Sequence, residues 1–269
     1  MPFTSVRAFR LALLALLSML AAPVWAQSER VLDHNAIGWF TYNGDHQVSP
    51  DWAVHTEAQW RRTRLGLGRQ QLLLRLGLVY ALAEEVKVSG GYTHFITYPY
   101  GDYPTADLGA RTPEHRAYED VTFASTYGRL QLAHRLRLEQ RWLGQLDANN
   151  TDQVASWEYQ HRARYQLAGE VALQGPTIDN GELYFTFFDE LFISFGENVG
   201  RNVFNQNRIS GGLGYQLQDN WRLELNYLNQ WSQHPEPAPD TEQSVFEHNN
   251  GFRLNVVYNL DFTSSRQRE

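Results

Sequence analysis

Four copies of one tripeptide pattern constrain the fold of this chain more than any other feature: Tyr80-Ala-Leu82, Tyr165-Gln-Leu167, Tyr215-Gln-Leu217 and Tyr258-Asn-Leu260. Each closes a run in which large apolar residues alternate with polar or small ones. Period two is the mark of a strand with two unlike faces. A tyrosine at the same end of several such strands predicts an aromatic ring at one level. In a membrane β-barrel that ring is the girdle at the lipid–water boundary.

The run 71–82 is the clearest. Leu72, Leu74, Leu76, Leu78, Tyr80 and Leu82 share one face; Gln71, Leu73, Arg75, Gly77, Val79 and Ala81 share the other. The run 130–142 repeats the design, with Leu130, Leu132, His134, Leu136, Leu138 and Trp142 opposite Gln131, Ala133, Arg135, Arg137, Glu139 and Arg141. Near the C-terminus, Phe252, Leu254, Val256, Tyr258, Leu260 and Phe262 oppose Arg253, Asn255, Val257, Asn259 and Asp261. Further strands are predicted at 52–62, 86–98, 118–127, 157–167, 183–195, 204–217 and 221–231, with another at 36–45. Tight turns are predicted at 46–50, 83–85, 128–129 and 218–220, and long polar loops at 101–117, 145–154 and 232–245. Short turns at one end and long loops at the other are typical of outer-membrane barrels.

Alternation alone does not say which face is outside. A soluble sandwich would bury the leucines and expose the arginines. Three features favour the membrane barrel. Runs such as 71–82 and 204–217 exceed the roughly five or six residues usual in globular sheets. Glycines and alanines share the arginine face, as a crowded lumen requires. Aromatics collect at strand ends. The expected architecture is therefore an all-β, antiparallel up-and-down transmembrane barrel of about 10–12 strands. The predicted strands number eleven, whereas bacterial single-chain barrels have even numbers, so ten and twelve both stay open.

The N-terminus reads as an export signal over residues 1–26. Arg7 and Arg10 precede an apolar run, 11–22, and Val24-Trp25-Ala26 fits a cleavage site that leaves Gln27 first. A single barrel domain, 27–262, and a polar tail, 263–269, follow. Removing the signal takes two arginines and no acids, so the formal charge of -7 falls to about -9. That balance argues against nucleic acid as a partner. There is no cysteine, hence no disulfide or thiolate metal site. Lys87 is the only lysine. Nearly all positive charge is arginine, whose planar fork suits confined carboxylate pairing.

The chain resembles an uncharacterised family of bacterial outer-membrane barrels, domain of unknown function 2490. The resemblance rests on Arg135-Leu-Arg137-Leu-Glu139-Gln-Arg141, Arg162-Ala-Arg164-Tyr165, Phe188-Asp189-Glu190-Leu191-Phe192, and Gln206-Asn-Arg208 followed by Gly212-Leu-Gly214-Tyr215. It implies a barrel in the outer membrane and no particular activity. The tail after Phe262 departs from the usual ending on an aromatic residue.

The candidate lumen charge network comprises Arg75, Arg135, Arg137, Glu139, Arg141, Arg162, Arg164, Glu190, Arg208, Arg222, Glu224 and Arg253; Arg61, Glu57, Glu158 and Asp261 share its phase. The candidate girdle comprises Tyr80, Tyr165, Tyr215, Tyr258, Trp142 and Trp231. Three readings of the network follow: a salt-bridged plug in an envelope protein, a narrow anion-preferring channel, and a lipid-modifying enzyme. The plug fits a narrow barrel best, because unpaired buried charge is costly. No histidine stands in a nucleophile–base arrangement, and His134 and His161 fall in the lipid-facing phase. No catalytic residue, metal site or cofactor is expected. The expected partners are outer-membrane lipid and the barrel-assembly machinery. The aromatic stretch 92–103 reads as a surface loop beside a girdle, with sugar binding as its alternative.

Overall fold

The structure, a computed structural model, describes residues 30–105, 107–239 and 241–263. The proposed signal segment and residues 264–269 of the tail lie outside the described residues. The described residues wind as eleven strands, each antiparallel to its neighbours in sequence: β1 (Arg30–Gln47), β2 (Trp52–Thr63), β3 (Gly68–Ala83), β4 (Val86–Thr97), β5 (Thr112–Tyr127), β6 (Leu130–Asp147), β7 (Asn150–Ala172), β8 (Leu183–Phe195), β9 (Phe204–Gln218), β10 (Trp221–Pro237) and β11 (Ser244–Tyr258). Each pairs with its neighbours in sequence, and β1 meets β11 to close the barrel. No helix among the described residues is long and apolar enough to cross a membrane.

The odd count has a geometric consequence: the first and last strands run parallel. Gln47 forms a parallel bridge to Asp261, its N–H donating to the Leu260 carbonyl (2.7 Å) and its own carbonyl accepting from the Phe262 N–H (3.0 Å). Above that bridge, side chains hold the seam. Thr41 Oγ1 lies 2.5 Å from Asn255 Oδ1, which also accepts from Asn43 Nδ2 at 2.8 Å. Two glycines let the strands approach. A Cβ on Gly251 would lie 1.7 Å from the Ile37 carbonyl oxygen, and one on Gly44 would lie 2.0 Å from that of Tyr258. Closure leaves no open sheet edge.

Period-two alternation decides what each strand shows to either side. In β3, Leu74, Leu76 and Leu78 are exposed while Leu73, Arg75 and Gly77 are buried. In β10, Trp221, Leu223, Leu225 and Tyr227 are exposed while Glu224, Asn226, Leu228 and Gln230 are buried. Apolar side chains thus point outward and most polar ones inward. A small apolar cluster of Ile37, Trp39 and Leu228, with Phe188 against it, also lies inside.

Several boundaries differ from the sequence expectation. The loop expected at 101–117 ends sooner, because β5 begins at Thr112. The loop expected at 145–154 is the tight turn 148–149 between extended β6 and β7. The loop expected at 232–245 shrinks to 238–243. Polar residues fill these strand extensions on both faces, so the apolar alternation that marks a strand is missing from them. Tyr165 does not end its strand: seven further residues of β7 follow it. Gly169 interrupts the run of large outward residues there, its missing Cβ position filled by the Phe187 ring. The connection after β7, 173–182, is correspondingly long rather than a tight turn. Asp261 lies beyond β11 and is exposed, not inside the barrel.

Candidate functional site: an arginine layer and the cavity above it

The interior is crossed by a layer of arginines and carboxylates drawn from seven strands. Its centre is Glu139 on β6, which has no exposed surface. Its Oε2 accepts from Arg162 Nε (2.8 Å) and its Oε1 from Arg164 Nη1 (2.7 Å). Arg164 also donates to Glu190 Oε1 through Nη2 (2.6 Å), and Arg135 Nη2 reaches the same oxygen at 2.8 Å. Arg208 stands 3.8 Å from the other Glu190 oxygen. These contacts follow from register: Glu139 pairs with Arg162 across β6–β7, and Glu190 pairs with Gln166 and Arg208 on either side.

Smaller groups flank this centre. Glu114 accepts from Arg116 Nε (2.6 Å) and Arg141 Nε (2.5 Å). Asp120 accepts from Arg137 Nε (2.8 Å) and from the Ser89 hydroxyl (2.6 Å). Arg75 is paired with Glu57 and donates to Thr93 Oγ1 at 2.9 Å. Aromatic faces take part of the remaining charge. Tyr118 lies between Arg75 and Arg137, at 5.1 and 4.3 Å. Phe192 carries Arg164 at 4.5 Å and Arg208 at 4.6 Å. Phe95 carries Arg116 at 4.0 Å. A guanidinium over a ring gains cation–π attraction, most when desolvated.

The candidate residues do not form one cluster. Arg135, Glu139, Arg162, Arg164, Glu190 and Arg208 are brought together. Arg75, Arg137 and Arg141 belong to the flanking pairs. Arg222 stands apart, donating to Glu170 Oε2 at 2.8 Å. Glu224 accepts from the Tyr184 hydroxyl (3.0 Å) and Asn255 Nδ2 (2.8 Å) rather than from an arginine. Arg253 donates to Thr41 Oγ1 at 3.2 Å and lies 5.8 Å from the Phe188 ring centroid. Among the girdle candidates, Tyr165, Tyr215 and Trp142 are exposed, whereas Tyr80, Tyr258 and Trp231 are half-buried. Tyr80 packs on Trp52, Tyr258 on Trp221, and Trp231 stacks on His248.

Sequence reasoning missed Glu114, Arg116, Asp120 and Glu170. Glu114 and Arg116 fell in a stretch assigned to a loop because Pro113 and His115 interrupt its apolar pattern. The signal was present in the phase: Glu114, Arg116, Tyr118 and Asp120 alternate without a break, and all four are buried.

Above the layer, at the end carrying connections 98–111, 196–203 and 238–243, opens a cavity of about 1080 Å³. Its floor is the layer itself: Arg61, Arg116, Arg141, Arg162 and Arg208. Tyr100 and Tyr103, expected on a surface loop, fold into its wall. The Tyr100 hydroxyl donates to Glu247 Oε1 at 2.5 Å. Burial and that carboxylate hold the phenol well above its ordinary pKa, so it stays a donor. A smaller cavity of about 480 Å³ at the opposite end is lined by Ile178, Asp179, Asn180, Gln216, Asp219 and Arg222, and shares no lining residue with the first. The described residues hold no group of three or more histidines, aspartates or glutamates able to bind a metal ion.

No curated protein and no solved structure matches the chain. One family model does, over residues 37–241, which spans β1 to the connection between β10 and β11. The chain therefore belongs to the family described as protein of unknown function (DUF2490).

Proposed function

We propose that the protein is an outer-membrane barrel with a structural or envelope role, its lumen closed by the arginine layer. The observation that carries this reading is the sidedness of the wall: Leu74 is 47 % exposed while its neighbour Arg75 is 7 % exposed. Leu76, Leu136, Ile209, Leu213, Leu225 and Tyr227 are each at least half exposed. Soluble monomers rarely show contiguous apolar patches beyond a few hundred Å². A closed barrel satisfies its backbone hydrogen bonds internally, as a hydrocarbon surround requires. The apolar face would contact lipid, after export and insertion by the assembly machinery.

The reading includes no catalytic step. His134 is bonded to the Tyr165 hydroxyl at 2.8 Å, and His161 is stacked on Phe195. A narrow anion-preferring channel is the second reading, favoured by the excess of arginine over carboxylate in the layer. Conductance in planar bilayers separates the two. The closed reading expects little or no ion current from the wild type, and a rise on neutralising Arg137 or Glu139. A large, steady wild-type current would overturn it in favour of the channel.

A further inference from the structure

The arginine layer is not neutral. Arg61, Arg75, Arg116, Arg135, Arg137, Arg141, Arg162, Arg164 and Arg208 face only five carboxylates: Glu57, Glu114, Asp120, Glu139 and Glu190. The shortfall is concentrated at two side chains on the cavity floor. Arg61 is 3 % exposed and has no carboxylate within 4.0 Å among the described residues. Its guanidinium donates only to amide oxygens, Gln59 Oε1 (2.8 and 2.6 Å) and Gln71 Oε1 (2.7 Å). Arg208 is 3.8 Å from Glu190, too far for a hydrogen bond, and its Nε is enclosed without a partner. Both lie near one ring, Trp39, at 3.9 and 5.1 Å from its centroid. The ring fixes two under-neutralised guanidinium groups side by side beneath an open cavity.

We infer that this cavity binds a small hydroxylated anion, an acidic or phosphorylated sugar, with its negative charge on Arg61 and Arg208. The charge follows from the local deficit at these two side chains, since a buried cation without a counter-charge is costly. Asp102, Glu158, Glu236 and Glu247 also line the cavity, but none lies within 4.0 Å of either guanidinium, and among the described residues Arg208 otherwise donates only to Gln206 Oε1 at 3.3 Å. The guanidinium fork matches carboxylate and phosphate alike. The hydroxyl-bearing remainder follows from the walls. Gln145, Gln160, Asn205, Gln206, Gln230 and Ser232 line the cavity, offering donors and acceptors in the paired form that sugar hydroxyls use. Two of these are incompletely satisfied: Gln206 Nε2 and Gln230 Oε1 are enclosed with no partner. Tyr100, Tyr103 and Phe95 supply apolar faces for the ring. The volume is at the upper end for a small-molecule site.

Calorimetric titration of the full mature barrel, folded in detergent micelles, tests this. The probes are D-glucuronate and D-glucose 6-phosphate, with D-glucose and acetate as controls. Saturable binding of either anionic sugar, tighter than both controls, is expected, and the better of the two identifies carboxylate or phosphate as the anchor. Arg61→Gln and Arg208→Gln should each weaken it about tenfold or more, whereas Arg222→Gln at the opposite end should not. Gel mobility before and after heating verifies folding; should one variant not fold, the other carries the test. Failure of both anionic sugars to saturate at tens of millimolar would overturn the inference. So would glucose or acetate binding as tightly, or affinity unchanged by both arginine variants. Binding in micelles does not depend on whether the lumen conducts, so a negative result here leaves the closed-barrel reading standing.

Discussion

Glu139 and Arg164 meet at the centre of the barrel, Oε1 to Nη1 at 2.7 Å, with both side chains almost wholly enclosed. The pair stands on adjacent strands, two residues out of direct register, and each partner is shared: Glu139 also holds Arg162, and Arg164 also holds Glu190. A carboxylate bridging two arginines is where the layer is most vulnerable. Glu139→Gln leaves buried Arg162 without its counter-charge and Arg164 with Glu190 alone, at a cost of about 3–5 kcal/mol. Urea unfolding in lipid vesicles should show that loss. Leu138→Ile, one residue before it and facing outward, should not reproduce it.

Asp120 and Arg137 make a simpler case, because Asp120 serves one arginine. Asp120→Asn should destabilise the barrel by a few kcal/mol, and adding Arg137→Met should recover much of the loss. Replacing a buried ion pair by apolar groups of similar size is often near neutral, whereas removing one partner is not. A double-mutant cycle followed by urea unfolding checks this. Additive effects of the two substitutions would show that the pair is not coupled.

The parallel seam makes its own prediction. Gly251→Ala sets a methyl group against the Ile37 carbonyl, and the backbone there is pinned by closure. Folding yield should fall sharply. Gly90→Ala, whose added methyl meets only ordinary contact at 3.4 Å, should be neutral or slightly stabilising. Heat-dependent gel mobility reports both. A cysteine pair at Thr41 and Asn255 tests the same closure in a chain that has no cysteine of its own. A cross-link there supports the parallel seam, and a pair that stays reduced under oxidising conditions argues against it.

How much of this was legible in the sequence follows from period two. Where one phase is leucine and the other arginine or glycine, as in β3 and β6, strand, sidedness and interior residues could all be read. The pattern failed where both phases turn polar, beyond the apolar band. Thus the start of β5, with Glu114 and Arg116, carries no apolar alternation, and the residues around the 148–149 turn read as a long loop. The eleven-strand count could be read too, but it conflicted with the even-number habit of bacterial barrels. Its resolution, a parallel contact between Gln47 and Asp261, depends on a long-range pairing that no local pattern encodes. Partners within the layer were equally hidden, because Glu139 with Arg162 is a matter of register and Arg208 with Trp39 is a matter of reach across the interior.

On the proposed reading leucines face lipid while arginines face inward, and neighbouring positions of β3 put this to the test. Leu74→Arg should cost about 2–4 kcal/mol if the residue lies near the bilayer midplane, and Arg75→Gln should cost less. The decisive measurement is collisional accessibility of spin labels at positions 74 and 75 in protein folded into lipid bilayers. Lipid-dissolved oxygen should relax the label at 74 and not the label at 75. A label at 74 that instead responds to a water-soluble relaxing agent would contradict it, and would point to a barrel whose leucine face is not in a membrane.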